Sequence, residues 1–253
     1  MNLVTIPCLS DNYAFLLHDE PSGRTALFDA PEAAPILAAL DDRSWDLHEV
    51  WITHHHPDHV DGLPGIRDVH RVAVTGCGAD AGRLPRLDRE VEGGDRFEFA
   101  GHPVRVIAVP GHTSRHIAFH VPDAGAVFTG DSLMALGCGR LFEGTAEEMW
   151  GSLQRLAALP DETLVCSGHE YTASNARFAL TVDPENPALR RRAAEIEQAR
   201  AAGQPTVPST LADEKATNPF LRARLSELKR AIDMEGASDI EAFAEIRRRK
   251  DRF

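Results

Sequence analysis

A histidine-rich heptapeptide at residues 53–59 constrains this chain more than any other stretch of it. It has the sequence T-H-H-H-P-D-H and directly follows the apolar run at residues 50–52. A short run of β-branched and aromatic residues predicts a strand, and the polar residues and proline behind it predict a loop. A loop at a strand end can turn several imidazoles and a carboxylate toward one point. Such a mixture of nitrogen and oxygen donors suits zinc, iron or manganese.

Further candidate ligands follow other apolar runs. The candidates within the heptapeptide are His54, His56, Asp58 and His59; the later ones are His112 in G-H-T, Asp131 in T-G-D and His169 in G-H-E-Y. Taken singly, each of the three later residues, which follows a glycine, is more often a turn residue than a ligand, and a histidine cluster alone can be a surface feature. Strand ends of one layered scaffold, however, bring together side chains that lie far apart in sequence. The recurrence therefore predicts one shared metal site.

Composition and charge exclude some classes of protein. With 253 residues and 43% hydrophobic residues the chain can bury a full core. Its net charge of -12 argues against nucleic acid as the main partner. The charge is uneven, because residues 1–169 carry -13 and residues 170–253 carry +1. This distribution predicts an acidic, strand-rich body and a more basic helical portion.

Hydrophobic patterns give the predicted elements. Strands are predicted at residues 3–6, 14–17, 25–28, 50–52, 71–74, 96–99, 104–109, 117–121, 126–128 and 164–166. Helices are predicted at residues 33–40, 60–67, 146–159, 173–180, 187–202, 219–233 and 239–249, with a capping box of Thr145 and Glu148. This order predicts an α+β protein with two sheets covered by outer helices.

The cellular setting follows from what the sequence lacks. No signal peptide and no apolar run of about 20 residues are found, so we expect neither export nor a membrane span. Four scattered cysteines without a C-x-x-C pair indicate reduced thiols in the cytoplasm.

Taken together, the motifs resemble those of a known superfamily. H-x-H-x-D-H, G-H-T, T-G-D and G-H-E-Y are similar to the motifs of the metallo-β-lactamase superfamily. Residues 137–145 (G-C-G-R-L-F-E-G-T), residues 218–222 (N-P-F-L-R) and the basic C-terminus resemble the glyoxalase II family, the hydroxyacylglutathione hydrolases. The resemblance runs from Pro7 to Asp251. It implies a four-layer αββα sandwich with a C-terminal helical domain, divided into a catalytic domain at 1–169 and a glutathione-binding domain at 170–253.

The resemblance also implies a ligand set and a reaction. The first of two divalent metal ions would bind His54, His56 and His112, the second would bind Asp58, His59 and His169, and Asp131 would bridge them. Zinc is the expected metal, with iron or manganese as alternatives. The implied reaction is hydrolysis of S-(2-hydroxyacyl)glutathione, typically S-(R)-lactoylglutathione to (R)-lactate and glutathione, by a hydroxide shared between the metals. By the resemblance, this reaction would belong to methylglyoxal detoxification, with Asp58 and Asp131 as its catalytic carboxylates.

Substrate contacts are implied in the same way, and two supporting residues are expected from their positions. The residues expected to contact the glutathione thioester are Arg140, Phe142, Tyr171, Arg247 and Lys250. Phe142 stands where many relatives have tyrosine, which predicts weaker discrimination for glutathione. Arg115 stands where glycine is common. A positive φ would strain an arginine, so either the turn is ordinary here or the local loop differs from that of the relatives. Asp29 is expected to hydrogen-bond a ligand histidine, and His116 to support another.

Other functions remain open at this point. The main alternative is an iron-dependent persulfide dioxygenase of the same fold. A diiron flavoprotein partner, a β-lactamase, a nuclease and a metal-binding module without activity are less favoured. The expected partner is a small thioester, without nucleic acid or membrane, and the expected state is a monomer.

Overall fold

The structure, a computed structural model, describes the whole chain from Met1 to Phe253. The chain forms two compact units. The first unit contains residues 1–108 and 115–130, and the second unit contains residues 109–114 and 131–253. The proposed division into domains at residue 169 stays a prediction.

The first unit contains ten strands and three helices. The strands are β1 (Asn2–Cys8), β2 (Asn12–Asp19), β3 (Arg24–Phe28), β4 (Glu49–Trp51), β5 (Ala73–Cys77), β6 (Arg89–Val91), β7 (Arg96–Phe99), β8 (His102–Ala108), β9 (Ile117–Val121) and β10 (Ala126–Gly130). The helices are α1 (Ala33–Asp41), α2 (Pro57–Val60) and α3 (Leu63–Arg67), and 3₁₀ turns lie at Gly78–Asp80 and Pro122–Ala124. Strands β1 to β6 form one sheet in chain order, antiparallel up to β3 and parallel from β3 onward. Strands β7 to β10 pair antiparallel with their sequence neighbours.

Aromatic side chains form the core of the first unit. Phe28 in β3 pairs with Trp51 in β4, and Phe28 stacks on Phe128 in β10. The Trp51 ring also contacts Phe99 and Phe119 at 5.5 Å. Trp51 is fully buried, and its indole N–H donates to Glu49 at 3.0 Å, so its polar edge is satisfied. This packing holds the end of β4, from which the histidine-rich segment starts.

The second unit is mostly helical. Its elements are β11 (Leu133–Met134), β12 (Gly137–Cys138), β13 (Leu164–Ser167), β14 (Ser209–Thr210), α4 (Ala146–Ala157), α5 (Thr172–Val182), α6 (Pro187–Ala201), α7 (Leu211–Thr217), α8 (Pro219–Arg222), α9 (Ser226–Ala231) and α10 (Asp239–Arg252). The capping box predicted at Thr145 and Glu148 is confirmed, and Ser238 with Glu241 forms a second one. None of the helices in either unit has the length and apolar character that a membrane crossing requires. No disulfide joins the four cysteines, all of which are buried.

Several predicted elements are wrong in detail. The helix predicted at 60–67 is two short helices, and Pro57 starts the first, so Asp58 and His59 lie on α2. The helix predicted at 219–233 is divided into α8 and α9. Helix α7 was not predicted, although Thr210 caps it by accepting from the Asp213 N–H. The short strands β6, β11, β12 and β14 were also missed, because two or three residues show no alternation.

Candidate metal centre

The histidine-rich segment begins with a buried hydrogen-bonded anchor. The Asp29 carboxylate accepts from the Thr53 N–H and from the Thr53 hydroxyl, both at 2.8 Å. It also accepts from Nδ1 of His59 at 2.8 Å, which confirms the predicted bond between Asp29 and a histidine of the motif. Asp29 is 4% exposed and has a φ of 55°, a left-handed conformation that aspartate tolerates better than most residues. One carboxylate thus orients both ends of the segment.

These contacts determine which nitrogen of each ring carries the proton. A carboxylate only accepts, so His59 donates through Nδ1 and has its lone pair on Nε2. The Thr53 hydroxyl donates to Asp29 and therefore accepts from Nδ1 of His54 at 3.0 Å. His54 thus also has its lone pair on Nε2. This is the outer-shell arrangement that prepares imidazoles for a cation.

His56 and His116 surround the ring of His54. Nε2 of His54 and Nδ1 of His56 lie 3.1 Å apart, close enough for both to face one cation. His116 stacks on the His54 ring at 4.5 Å, and its Nδ1 donates to the carbonyl of Ile117. This fits the expectation that His116 supports a ligand. The backbone φ angle of Arg115 is not positive, so the turn at this position is ordinary.

Two more contacts hold the segment, and neither was predicted. His55 Nδ1 lies 3.1 Å from the buried carboxylate of Asp80, so His55 is directed to a different partner from His54 and His56. The side-chain amide of Asn12 donates to both the carbonyl and the carboxylate of Asp58, at 3.0 Å each. No spacing in the sequence relates these residues. Only the packing of the sheet brings them together.

The second unit gathers the other three candidate ligands around one oxygen. Oδ2 of Asp131 lies 3.4 Å from Nε2 of His112 and 3.3 Å from Nε2 of His169. All three residues are at most 6% exposed. His112 donates through Nδ1 to the carbonyl of Arg140 at 2.9 Å, which again leaves the lone pair on Nε2. The histidine and aspartate donors in both units therefore fit divalent zinc, iron or manganese.

Glycine is required beside this cluster. A Cβ atom on Gly139 would lie 2.0 Å from the carbonyl oxygen of Asp131 and 2.9 Å from Nδ1 of His112. The Gly139 N–H donates to the carbonyl of Ser132 at 3.0 Å, which closes the turn. Residue 139 thus has room for a hydrogen atom only.

Side chains from the C-terminal helices hold the hairpin that follows Asp131. Asn218 donates to the carbonyls of Met134 and Gly137, and Asn175 donates to the carbonyl of Ala135. Glu214, which is fully buried, accepts from the Leu136 N–H at 2.9 Å. Leu136 has a φ of 55°, a strained value for leucine that these bonds maintain. The N-P-F-L-R motif therefore has a structural role in this hairpin.

The residues predicted to contact substrate differ in exposure. Arg140 is exposed, Phe142 is 63% exposed with its ring 5.2 Å from that of His112, and Tyr171 is 40% exposed and stacks on His169 at 4.6 Å. Arg247 is only 5% exposed; it donates to the carbonyl of Cys138 at 2.9 Å and pairs with Asp251. Burial raises the pKa of the Cys138 thiol to about 11.

Lys250 lies in a cationic and aromatic environment. Its Nζ donates to the carbonyl of Ser174 at 3.4 Å and lies 5.3 Å from the ring centres of Phe178 and Phe253. Burial lowers the pKa of Lys250 to about 8, and repulsion from nearby arginines, Arg140 among them, acts in the same direction. Lys250 therefore loses much of its charge at mildly alkaline pH.

We expect Asp29→Asn to weaken metal binding strongly. Asparagine tolerates the left-handed backbone, but its NH₂ group only donates, so it can accept neither from the Thr53 hydroxyl nor from His59. The rings of His54 and His59 then lose their defined tautomers. Loss of such an outer-shell carboxylate typically costs about 10- to 100-fold in metal affinity. Metal content after dialysis against a chelator measures this, with Asp123→Asn as an exposed control. Equal metal retention by Asp29→Asn and the wild type would contradict the role of Asp29.

Comparisons with known proteins agree with the geometry. Residues 14–169 match the family model of the metallo-beta-lactamase superfamily, and residues 170–253 match the model described as hydroxyacylglutathione hydrolase C-terminus. The chain is 64% identical over 253 residues to the hydroxyacylglutathione hydrolase of Ruegeria pomeroyi, covering 100% of this chain and 99% of that protein.

Solved structures show the same fold. The crystal structure of ETHE1 from Myxococcus xanthus has a TM-score of 0.68 and 26% identity, covering 98% of this chain and 90% of that chain. The crystal structure of TTHA1623 in a di-iron-bound form has a TM-score of 0.55 and 28% identity, covering 67% of this chain and 92% of that chain. These matches confirm the predicted α+β metallo-β-lactamase fold with a helical C-terminal region.

The match to the metallo-β-lactamase superfamily and the histidine and aspartate clusters together indicate that this chain binds metal. The two family models cover residues 14–253 without a gap, and the similarity to a curated relative extends over the full length. The chain therefore belongs to the hydroxyacylglutathione hydrolase family, glyoxalase II, of the metallo-β-lactamase superfamily.

Proposed function

We propose that this protein hydrolyses S-(2-hydroxyacyl)glutathione thioesters, typically S-(R)-lactoylglutathione, to the hydroxy acid and glutathione. The observation that carries the proposal is the 64% identity, over the whole chain, with a hydroxyacylglutathione hydrolase. The C-terminal family match supports glutathione over other thiol carriers. The same relatives leave the persulfide dioxygenase alternative with less support. A monomeric state and a cytoplasmic location remain proposals made from the sequence.

We propose the ligand set that the motifs imply. His54, His56 and His112 would hold one metal ion, Asp58, His59 and His169 the other, and Asp131 would bridge them. Two local arrangements support this set: the Nδ1 donors that direct Nε2 of His54 and His59, and the position of Asp131 Oδ2 beside two imidazoles. Zinc is proposed first, and iron or manganese suits the same donors.

The metal pair, when bound, would lower the pKa of water toward about 7 and polarise the thioester carbonyl. Asp58 and Asp131 are the carboxylates at the reacting centre. Asp58 would orient the proton of the attacking oxygen. The hydrogen bond from Asn12 supports this role, because it holds the Asp58 carboxylate in one position. The leaving group is a thiolate, and thiol pKa values lie near 8.5, so a strong general acid is not required.

Basic and aromatic side chains are proposed to bind the glutathione portion. Arg140 and Lys250 would attract its carboxylates, since both belong to one cationic group in the second unit. Tyr171 would donate its hydroxyl, and Phe142 would make an apolar contact where a hydroxyl is common. Arg247 is proposed to act by holding the backbone of Cys138 as well as by its charge.

The proposed role of Lys250 gives a pH dependence. Below pH 8 the amine is protonated and attracts a carboxylate; above pH 8 it becomes neutral, so we expect KM for the thioester to rise through that region. Lys250→Arg stays charged and should give a flatter KM profile from pH 7 to 9.5. Initial-rate kinetics over that range measure the difference. Parallel profiles for the two proteins would show that Lys250 does not supply this charge.

A direct assay tests the function. Purified protein with measured metal content should hydrolyse S-(R)-lactoylglutathione, lose activity with a chelator and recover it with added metal. Oxygen uptake with glutathione persulfide, measured on the same preparation, tests the alternative. A metal-replete preparation that leaves the thioester intact would overturn the proposal.

A further inference from the structure

Asn12 lies at a place where the backbone is tightly held. It is the first residue of β2 and pairs with Cys8 of β1 across the hairpin. The Leu9 N–H in the turn donates to the carboxylate of Glu32 at 2.9 Å, which anchors the tip of the hairpin. The side chain of Asn12 is 4% exposed. A buried side chain on a strand keeps its position better than one on a loop.

Asn12 uses both hydrogens of one amide group on a single residue. Its Nδ2 lies 3.0 Å from the carbonyl oxygen of Asp58 and 3.0 Å from Oδ2 of the same residue. The opposite orientation of the amide would place its oxygen against two acceptors. The contacts therefore determine the orientation of Asn12, and Asn12 determines the rotamer of Asp58.

Asp58 needs such support because its side chain is 40% exposed. The oxygen that Asn12 contacts, Oδ2, also lies 3.7 Å from Nε2 of His59. His59 is oriented by Asp29, which directly follows β3, and Asp58 is oriented by Asn12 of β2, so these neighbouring residues of α2 have separate supports. A carboxylate oxygen can accept an N–H and ligate a cation at the same time.

We propose that Asn12 is a positioning residue for the proposed dinuclear site: it fixes Asp58 as a ligand of the second metal ion and so determines occupancy of that position. The inference rests on the proposed function. It predicts that the donor group of Asn12, more than its volume, carries the effect.

Two substitutions distinguish the effect of the hydrogen-bond donor of Asn12 from the effect of its side-chain volume. Asn12→Asp keeps the volume but places an oxygen against the two acceptors of Asp58, whereas Asn12→Ala removes the donor without adding repulsion. A positioning role predicts greater damage from Asn12→Asp, and a packing role predicts greater damage from Asn12→Ala. Asn2→Asp is the matched control, because Asn2 lies on the same hairpin and also donates to a carboxylate, Glu20, but on the exposed surface.

The experiment measures zinc per chain in a chelator competition, thermal unfolding of the metal-free proteins, and kcat and KM with S-(R)-lactoylglutathione. We expect Asn12→Asp to bind its second zinc ion about 10- to 100-fold more weakly, with Asn12→Ala in between and Asn2→Asp unchanged. We expect kcat to fall while KM changes little, because Asp58 acts at the reacting centre.

The outcomes are distinct. Wild-type affinity for both zinc ions in Asn12→Asp would overturn the inference, and so would greater loss in Asn12→Ala accompanied by a lower melting temperature of the metal-free protein. Wild-type protein that binds two zinc ions but leaves the thioester intact would remove the proposed reaction while the zinc measurement still tests Asn12. Wild-type protein that binds fewer than two zinc ions would overturn the inference together with the dinuclear site.

Discussion

Gly139→Ala is expected to reduce activity by more than about 100-fold. The added methyl would lie 2.0 Å from the Asp131 carbonyl oxygen and 2.9 Å from Nδ1 of His112. The first is a backbone atom, so the clash is relieved only by moving the segment that carries Asp131. A displacement of about 1 Å in a catalytic group can cost about 100-fold in rate. Rates at saturating substrate, together with metal content, measure this effect.

Gly151→Ala provides the matched control. Gly151 lies inside α4 of the same unit, and a Cβ there meets only a flexible arginine end at 3.6 Å. Alanine at this position should stabilise the helix by about 0.5–1 kcal/mol and leave activity unchanged. If Gly139→Ala behaved in the same way, the close contact between residue 139 and Asp131 would not constrain the site.

Glu214→Ala is expected to destabilise the protein by about 3–5 kcal/mol, because it leaves a nearly buried guanidinium without its carboxylate. Glu214 is 0% exposed and accepts from Arg192, from the Ser209 hydroxyl at 2.7 Å and from the Asn218 amide at 2.9 Å. It also accepts from the Leu136 N–H, so the hairpin after Asp131 loses a support. Urea unfolding at neutral pH measures the free energy of unfolding.

An ion pair on the surface provides the comparison for the buried Glu214. Glu185 pairs with Arg190, and its side chain is 88% exposed, so Glu185→Ala should change stability by less than about 1 kcal/mol. Glu214→Gln keeps the shape and one acceptor, and it should fall between the two. Equal stability for Glu214→Ala and Glu185→Ala would show that the buried network contributes nothing beyond an ordinary surface pair.

Local signals in the sequence were sufficient for the candidate ligands and for many of the elements. H-x-H-x-D-H after an apolar strand predicts metal ligation, because imidazole and carboxylate donors at that spacing have few other uses together. The Thr145–Glu148 capping box was predictable, since both partners lie within one helical turn. Helices α8 and α9 were predicted as one, because the breaks between short helices depend on packing rather than on periodicity.

The sequence by itself determined the type and the order of the donor groups. Three histidines and an aspartate lie on one segment, and His112, Asp131 and His169 each follow a later strand. Only the tertiary structure decided what orients them. Asn12 and Asp58 are 46 residues apart, and Leu136 and Glu214 are 78 apart. Hydrogen bonds between such partners depend on how strands and helices pack, and no local pattern encodes that packing. The physical reason is the separation in sequence. The chemistry of a donor group depends on its own residue, whereas its orientation depends on partners that only the folded chain brings near.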